Sequence, residues 1–98
     1  MKKETIIETV REWFDVTSEQ LGGRSRKREY VVPRQVSMYF LKQYTTMSLR
    51  EIGETFGGRD HTTAIHSVKT VEELMDTNES FTNDIKEIEN KMNQYNQK

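Results

Sequence analysis

SLREIGETFGGRDHTTAIHSV, residues 48–68, is the stretch from which the rest of the chain can be read. Ser48 and Glu51 have the S-x-x-E spacing of a capping box, so a helix opens there and carries Leu49, Ile52 and Phe56. Gly57-Gly58 stops it, because glycine enters the left-handed conformation at a helix C-terminus without steric cost. Asp60 is a good N-cap for a second helix, whose inward stripe is Ala64, Ile65, Val68, Val71 and Met75. Helix, tight glycine turn and helix over 48–75 make a helix-turn-helix pattern. The start of the second helix carries Arg59, Asp60, His61, Thr62 and Thr63, more polar equipment than a cap requires.

Outward from this block the apolar residues keep helical spacing. Ile6, Ile7, Val10, Trp13 and Phe14 form one stripe, and residues 17–21 form a short helical turn capped by Thr17 or Ser18. Residues 22–30, GGRSRKREY, read as a loop dense in positive charge. Pro33, the single proline, suits the first position of a helix, with Val32 extended before it. That helix runs to about Tyr44 with Val36, Tyr39, Phe40 and Leu41 inward, and its broad apolar surface makes it the expected central helix. Phe81, Ile85, Ile88, Met92 and Tyr95, spaced 4, 3, 4 and 3, form the stripe of a last amphipathic helix. No segment alternates with the period of a strand, so the fold class is all-α, a single domain over 1–98.

Net charge is −1, but its distribution is uneven. Residues 24–71 hold nine bases and four acids, while the flanks 1–23 and 72–98 are both acidic. A basic patch rather than the total sets where a polyanion docks. No apolar run approaches the length of a membrane span, and the N-terminus lacks the apolar stretch of a signal peptide, so the cytoplasm is the expected location. Absence of cysteine excludes disulfides and thiolate zinc sites. His61 and His66 lie five residues apart, off a common helix face and without a third ligand, so no metal and no cofactor is expected. Glu72, Glu73 and the histidines offer no acid–base or nucleophile arrangement for an enzyme.

In a helix-turn-helix the second helix enters the major groove with its N-terminal residues leading. First-turn side chains lean toward the N-terminus, which projects Asp60, His61 and Thr62 beyond the helix end. Asp accepts from a cytosine amino group, Thr packs its methyl on that of thymine, and His donates or accepts. Thr62, His66 and Lys69 lie on the face away from the apolar stripe. Arg24, Arg26, Lys27 and Arg28 in the loop could enter a minor groove, and Arg34, Gln35 and Lys42 look like phosphate clamps.

The 48–68 block, above all GGRDHTT, closely resembles the signature of the C-terminal, DNA-binding domain of the bacterial replication initiator DnaA. PRQ at 33–35 behind a basic loop matches as well, and the resemblance spans about residues 4–95. It implies a Trp-repressor-like helical domain that binds, as a monomer, a short asymmetric DnaA box similar to TTATCCACA. By position, Arg26 matches the arginine that enters the minor groove, and Asp60, His61 and Thr62 match residues reading bases in the major groove. Arg34, Gln35, Lys42, Leu49 and Thr63 match backbone-contacting positions, and Arg28, Arg59, His66 and Lys69 are included with them. Arg50 stands where many members have proline and is expected to add a phosphate contact. Ala64-Ile65 replaces the commoner Val-Leu pair, read as a change inside the core. Nothing matches the phosphate-cradling G-x-x-x-x-G-K-[ST] of an ATPase, so the chain reads either as an excised domain or as a free-standing relative, of phage or mobile-element kind.

The expected partner is therefore double-stranded DNA, with replication-regulatory proteins as further candidates. A helix-turn-helix transcription regulator, which would usually bind a palindrome as a dimer, is the runner-up. A protein-interaction module docking through the acidic segment 76–92 is the third class.

Overall fold

The computed structural model describes residues 1–96, so the last two positions of the single domain expected over 1–98 lie outside the described residues. The described residues form six helices and no strand: α1 Lys3–Phe14, α2 Ser18–Gly22, α3 Arg28–Tyr44, α4 Leu49–Thr55, α5 His61–Thr77 and α6 Glu79–Asn96. The all-α expectation holds, and so does the central place of α3, which packs against α1, α2, α4 and α5. Helix α6 closes the bundle against α1 and α5. Ile6, Val10, Val36, Phe40, Leu41, Ile52, Phe56, Ala64, Val71, Ile85, Ile88 and Met92 form the shared core. No helix among the described residues is long and apolar enough to cross a membrane.

The helix starts follow side-chain chemistry. Thr17 and Gln20 form a reciprocal capping box at α2, and Ser48 and Glu51 form another at α4. Asp60 accepts from the Thr63 backbone N–H at 3.1 Å and opens α5. Between α4 and α5 the chain turns through two left-handed glycines, Gly57 at φ 76° and Gly58 at φ 72°. The crossing of these helices is tight. A Cβ at Gly53 would stand 2.5 Å from the Arg59 carbonyl oxygen and 2.6 Å from that of Asp60, so only glycine lets the start of α5 lie across α4.

Several expectations need correction. Helix α3 starts at Arg28, not at Pro33, and Val32 is helical rather than extended. Pro33 sits inside the helix and withholds one donor, a cost that burial offsets: Pro33 is itself buried, and Tyr30 and Val32 pack against the core. Consequently Arg28 belongs to a helix, and the extended basic segment shrinks to residues 24–27. Ile65 is not a core residue but 44% exposed, while Ser67, on the opposite flank of the Ala64–Val71 line, is buried. Tyr95 likewise points outward at 42% exposure, where its hydroxyl donates to Glu12 at 2.9 Å.

Candidate nucleic-acid interface

Helix α5 presents its leading end to solvent. Asp60, His61 and Thr62 are exposed, as are His66 and Lys69 further along, while Thr63 is half-buried. The cap on Asp60 is real: one carboxylate oxygen accepts from both the backbone N–H and the hydroxyl of Thr63. Hydrogen bonding to the Thr63 N–H, the largest cause, lowers the Asp60 pKa below its ordinary value. The carboxylate is therefore ionised and fixed at the helix start.

Beside this edge lies a cavity of about 410 Å³ lined by Arg24, Ser25, Arg26, Val31, Arg34, Gly57, Gly58 and Arg59. Four arginines thus meet where the basic segment abuts the helix-turn-helix turn. The two backbones come close there, since a Cβ on Gly57 would stand 2.2 Å from the Gly22 carbonyl oxygen. Among the described residues the only ion pair is Glu8–Arg11, far along the chain from this cluster. Burial, and then the charge of Arg59, lowers the Arg34 pKa; burial, and then the charge of Arg24, lowers that of Arg59. Both remain guanidinium ions at neutral pH.

Two of these arginines have structural partners that the sequence did not disclose. Arg34 is buried, and its Nε donates to the Leu21 carbonyl at 2.6 Å while Nη2 donates to that of Gln20 at 3.1 Å. Arg59 donates through Nη1 to the Gly22 carbonyl at 3.3 Å and to that of Phe56, and through Nη2 to that of Gly23. The four successive carbonyls of residues 20–23, the open C-terminal end of α2, are taken up by two guanidinium groups. Arg34 lies in the second turn of its helix, not the first, because α3 starts at Arg28, and its guanidinium is engaged from beneath the loop.

The remaining expected positions scatter around this centre. Arg26 and Arg28 are exposed, Gln35 is half-buried, Lys42 is exposed near the end of α3, and Arg50 is exposed on α4. Leu49 is half-buried and packs against the core, so it offers its backbone more readily than its side chain. Ser25, Gly57 and Gly58 were missed as parts of the site; their places in the cavity follow from contacts between distant segments.

An exposed polar helix start, set across a short glycine-closed helix and flanked by a loop of arginines, defines a helix-turn-helix domain. The family described as the bacterial dnaA protein helix-turn-helix matches residues 3–71, and the chain belongs to it. It is 40% identical over 90 residues to the chromosomal replication initiator protein DnaA of Crocosphaera subtropica, covering 92% of this chain and 20% of that protein. To the chromosomal replication initiator protein DnaA of Cutibacterium acnes it is 38% identical over 92 residues, covering 94% of this chain and 18% of the relative. The chain thus spans about a fifth of the length of these curated relatives.

Proposed function

We propose that this domain binds double-stranded DNA in replication initiation, as a monomer on a DnaA-box-like site, in the cytoplasm at the nucleoid. Helix α5 enters the major groove with Asp60, His61 and Thr62 facing base edges, and Arg26 enters the adjacent minor groove. Gln35, Lys42, Arg50, Thr63, His66, Lys69 and the Leu49 backbone meet phosphates, and Arg28 does so from the first turn of α3. Arg34 and Arg59 act as fixed charges beneath the phosphate track.

The observation that supports this reading is the placement of an exposed, polar helix start beside four arginines that have no carboxylate partner among the described residues. Like charges gathered in this way repel one another, and a polyanion relieves that repulsion. Family membership and the names of the relatives point the same way.

Fluorescence anisotropy with a duplex carrying TTATCCACA and with a shuffled duplex tests it. Replacing His61 or Thr62 by alanine is expected to weaken box binding by about 1–3 kcal/mol and to relax selectivity at particular positions. Lys42→Ala should weaken both duplexes alike and lower the salt slope by about one. Equal affinity of the native chain for both duplexes would refute the reading. Sedimentation on a single box distinguishes one bound chain from the two of a dimeric regulator.

A further inference from the structure

Ile65 is a large aliphatic side chain left on the outer face of α5. At 44% it is more exposed than any core residue, and among the described residues Tyr95 is the only other large hydrophobic so exposed. Tyr95 has a polar tip bonded to Glu12, whereas Ile65 has no polar atom in its side chain. Three of its four neighbours one turn away are polar, Thr62 three residues before it, His61 four before and Lys69 four after, and the fourth is the half-buried Val68, which lies toward the core. Residues at these separations are neighbours on one helix face, so an apolar branched side chain is framed by the groups already assigned to the major groove.

An isolated exposed aliphatic residue is ordinary on a protein surface. The position here is not arbitrary. The helix rises about 1.5 Å per residue, which puts the Ile65 backbone about 4.5 Å beyond that of Thr62 along the axis. Base pairs stack about 3.4 Å apart, so a helix lying in the groove brings Ile65 over the step next to the one Thr62 meets. The one apolar feature that the major-groove edge offers is the C5-methyl of thymine. Lysine and histidine on either side favour an anionic duplex over an apolar protein surface.

We propose that Ile65 is a specificity-determining residue that packs on a thymine methyl group, one step further into the site than Thr62. The inference rests on the DNA-binding reading above. It assigns discrimination by van der Waals contact and desolvation rather than by a hydrogen bond.

The test replaces each thymine of the box in turn by uracil, which deletes only the C5-methyl. Anisotropy is measured with the native chain, Ile65→Ala and Thr62→Ser. Ile65→Ala leaves the core untouched, and alanine is the better helix former, so the variant is expected to fold. With the native chain, one or two thymines should show a loss of about four-fold in affinity on conversion to uracil, the value of one buried methyl group. At one of them the penalty should vanish in Ile65→Ala and persist in Thr62→Ser. Ile65→Lys should bind every duplex more tightly while losing the same thymine preference. A native chain that prefers the box, with a uracil profile unchanged by Ile65→Ala, overturns this inference alone. A native chain indifferent to the box overturns the DNA reading, and this inference with it.

Discussion

Gly53→Ala isolates the geometry of the helix-turn-helix. In an exposed helix the exchange of glycine for alanine would stabilise by about 0.5–1 kcal/mol, because alanine loses less backbone freedom on folding. Gly53 is buried, and its position in α4 reverses the sign. The new Cβ would stand 2.5 Å from the Arg59 carbonyl oxygen and 2.6 Å from that of Asp60, against ordinary contact beginning near 3.4 Å. Both obstacles are backbone, so no rotamer change relieves them, and the start of α5 must retreat by close to an ångström. That motion pulls on the Arg59 N–H, which donates to the Gly53 carbonyl at 3.0 Å. Overpacking costs about 1–3 kcal/mol, and with two backbone oxygens as the obstacles the upper part of that range applies, so a net loss of about 1–2 kcal/mol remains after the propensity gain. For a domain of this size the melting temperature should fall by roughly 4–8 °C per kcal/mol. Circular dichroism melts measure the loss, and anisotropy measures the box-to-shuffled affinity ratio at a temperature where the variant is folded. The ratio should collapse, because Asp60, His61 and Thr62 move with the helix start. A variant that melts at or above the native temperature and keeps its selectivity would refute the argument.

Arg59→Ala removes the ties to Gly22, Gly23 and Phe56 and should cost about 2–4 kcal/mol in denaturant unfolding. Arg59→Lys should not rescue it, since one ammonium group cannot reproduce the planar fork. The Asp60 pKa is lowered in the folded chain by the Thr63 N–H, so its contribution is present above the unfolded value of 3.8 and disappears as pH falls through the folded one. Acid titration of the melting temperature should therefore show a smaller drop below pH 3.8 in Asp60→Asn than in the native chain. Tyr44 donates to Glu89 and ties α3 to α6; burial first, and then that bond, pushes its pKa up to about 12. A raised pKa means that the stabilisation is present below the unfolded value of 10.0 and is lost as pH rises toward 12. Tyr44→Phe should lower stability by about 1 kcal/mol at neutral pH and blunt the alkaline decline, as followed by denaturant melts across pH.

Local signals carried most of the fold. The capping residues Ser48 and Asp60, the glycine pair and the apolar spacing are read from neighbours within one or two turns, and the structure places each helix of the 48–75 block where those signals put it. The failures came where distant contacts overrode a local rule. Pro33 argued for a helix start, yet burial of Tyr30 and Val32 draws the helix back to Arg28. Ile65 follows Ala64 directly and so lies about 100° round the helix from it, at the edge of any stripe drawn through both; hydrophobicity alone favoured burial, and packing decided for Ser67. The partners of Arg34 and Arg59 were illegible because the accepting carbonyls lie up to 37 residues away and carry no side-chain signature. The arginine cluster was visible as composition, its cavity was not.

The choice of carbonyls as partners for Arg34 and Arg59 bears directly on the proposed DNA contact. A carboxylate would immobilise a guanidinium group but cancel its charge, whereas a carbonyl dipole holds it in place and leaves the positive charge intact. The arginines here are fixed without being neutralised, which is the state in which a phosphate gains most from meeting them, because little rotamer freedom remains to be lost. The same bonds have a mechanical consequence. Arg59 precedes Asp60, the start of α5, and grips Gly22 and Gly23, from which the segment bearing Arg24 and Arg26 departs. Hence the two proposed reading elements, one for each groove, are joined through a single side chain. Their separation is set by the fold before any duplex arrives, so on the proposed reading the domain should prefer a site whose major-groove and minor-groove features fall at the matching distance.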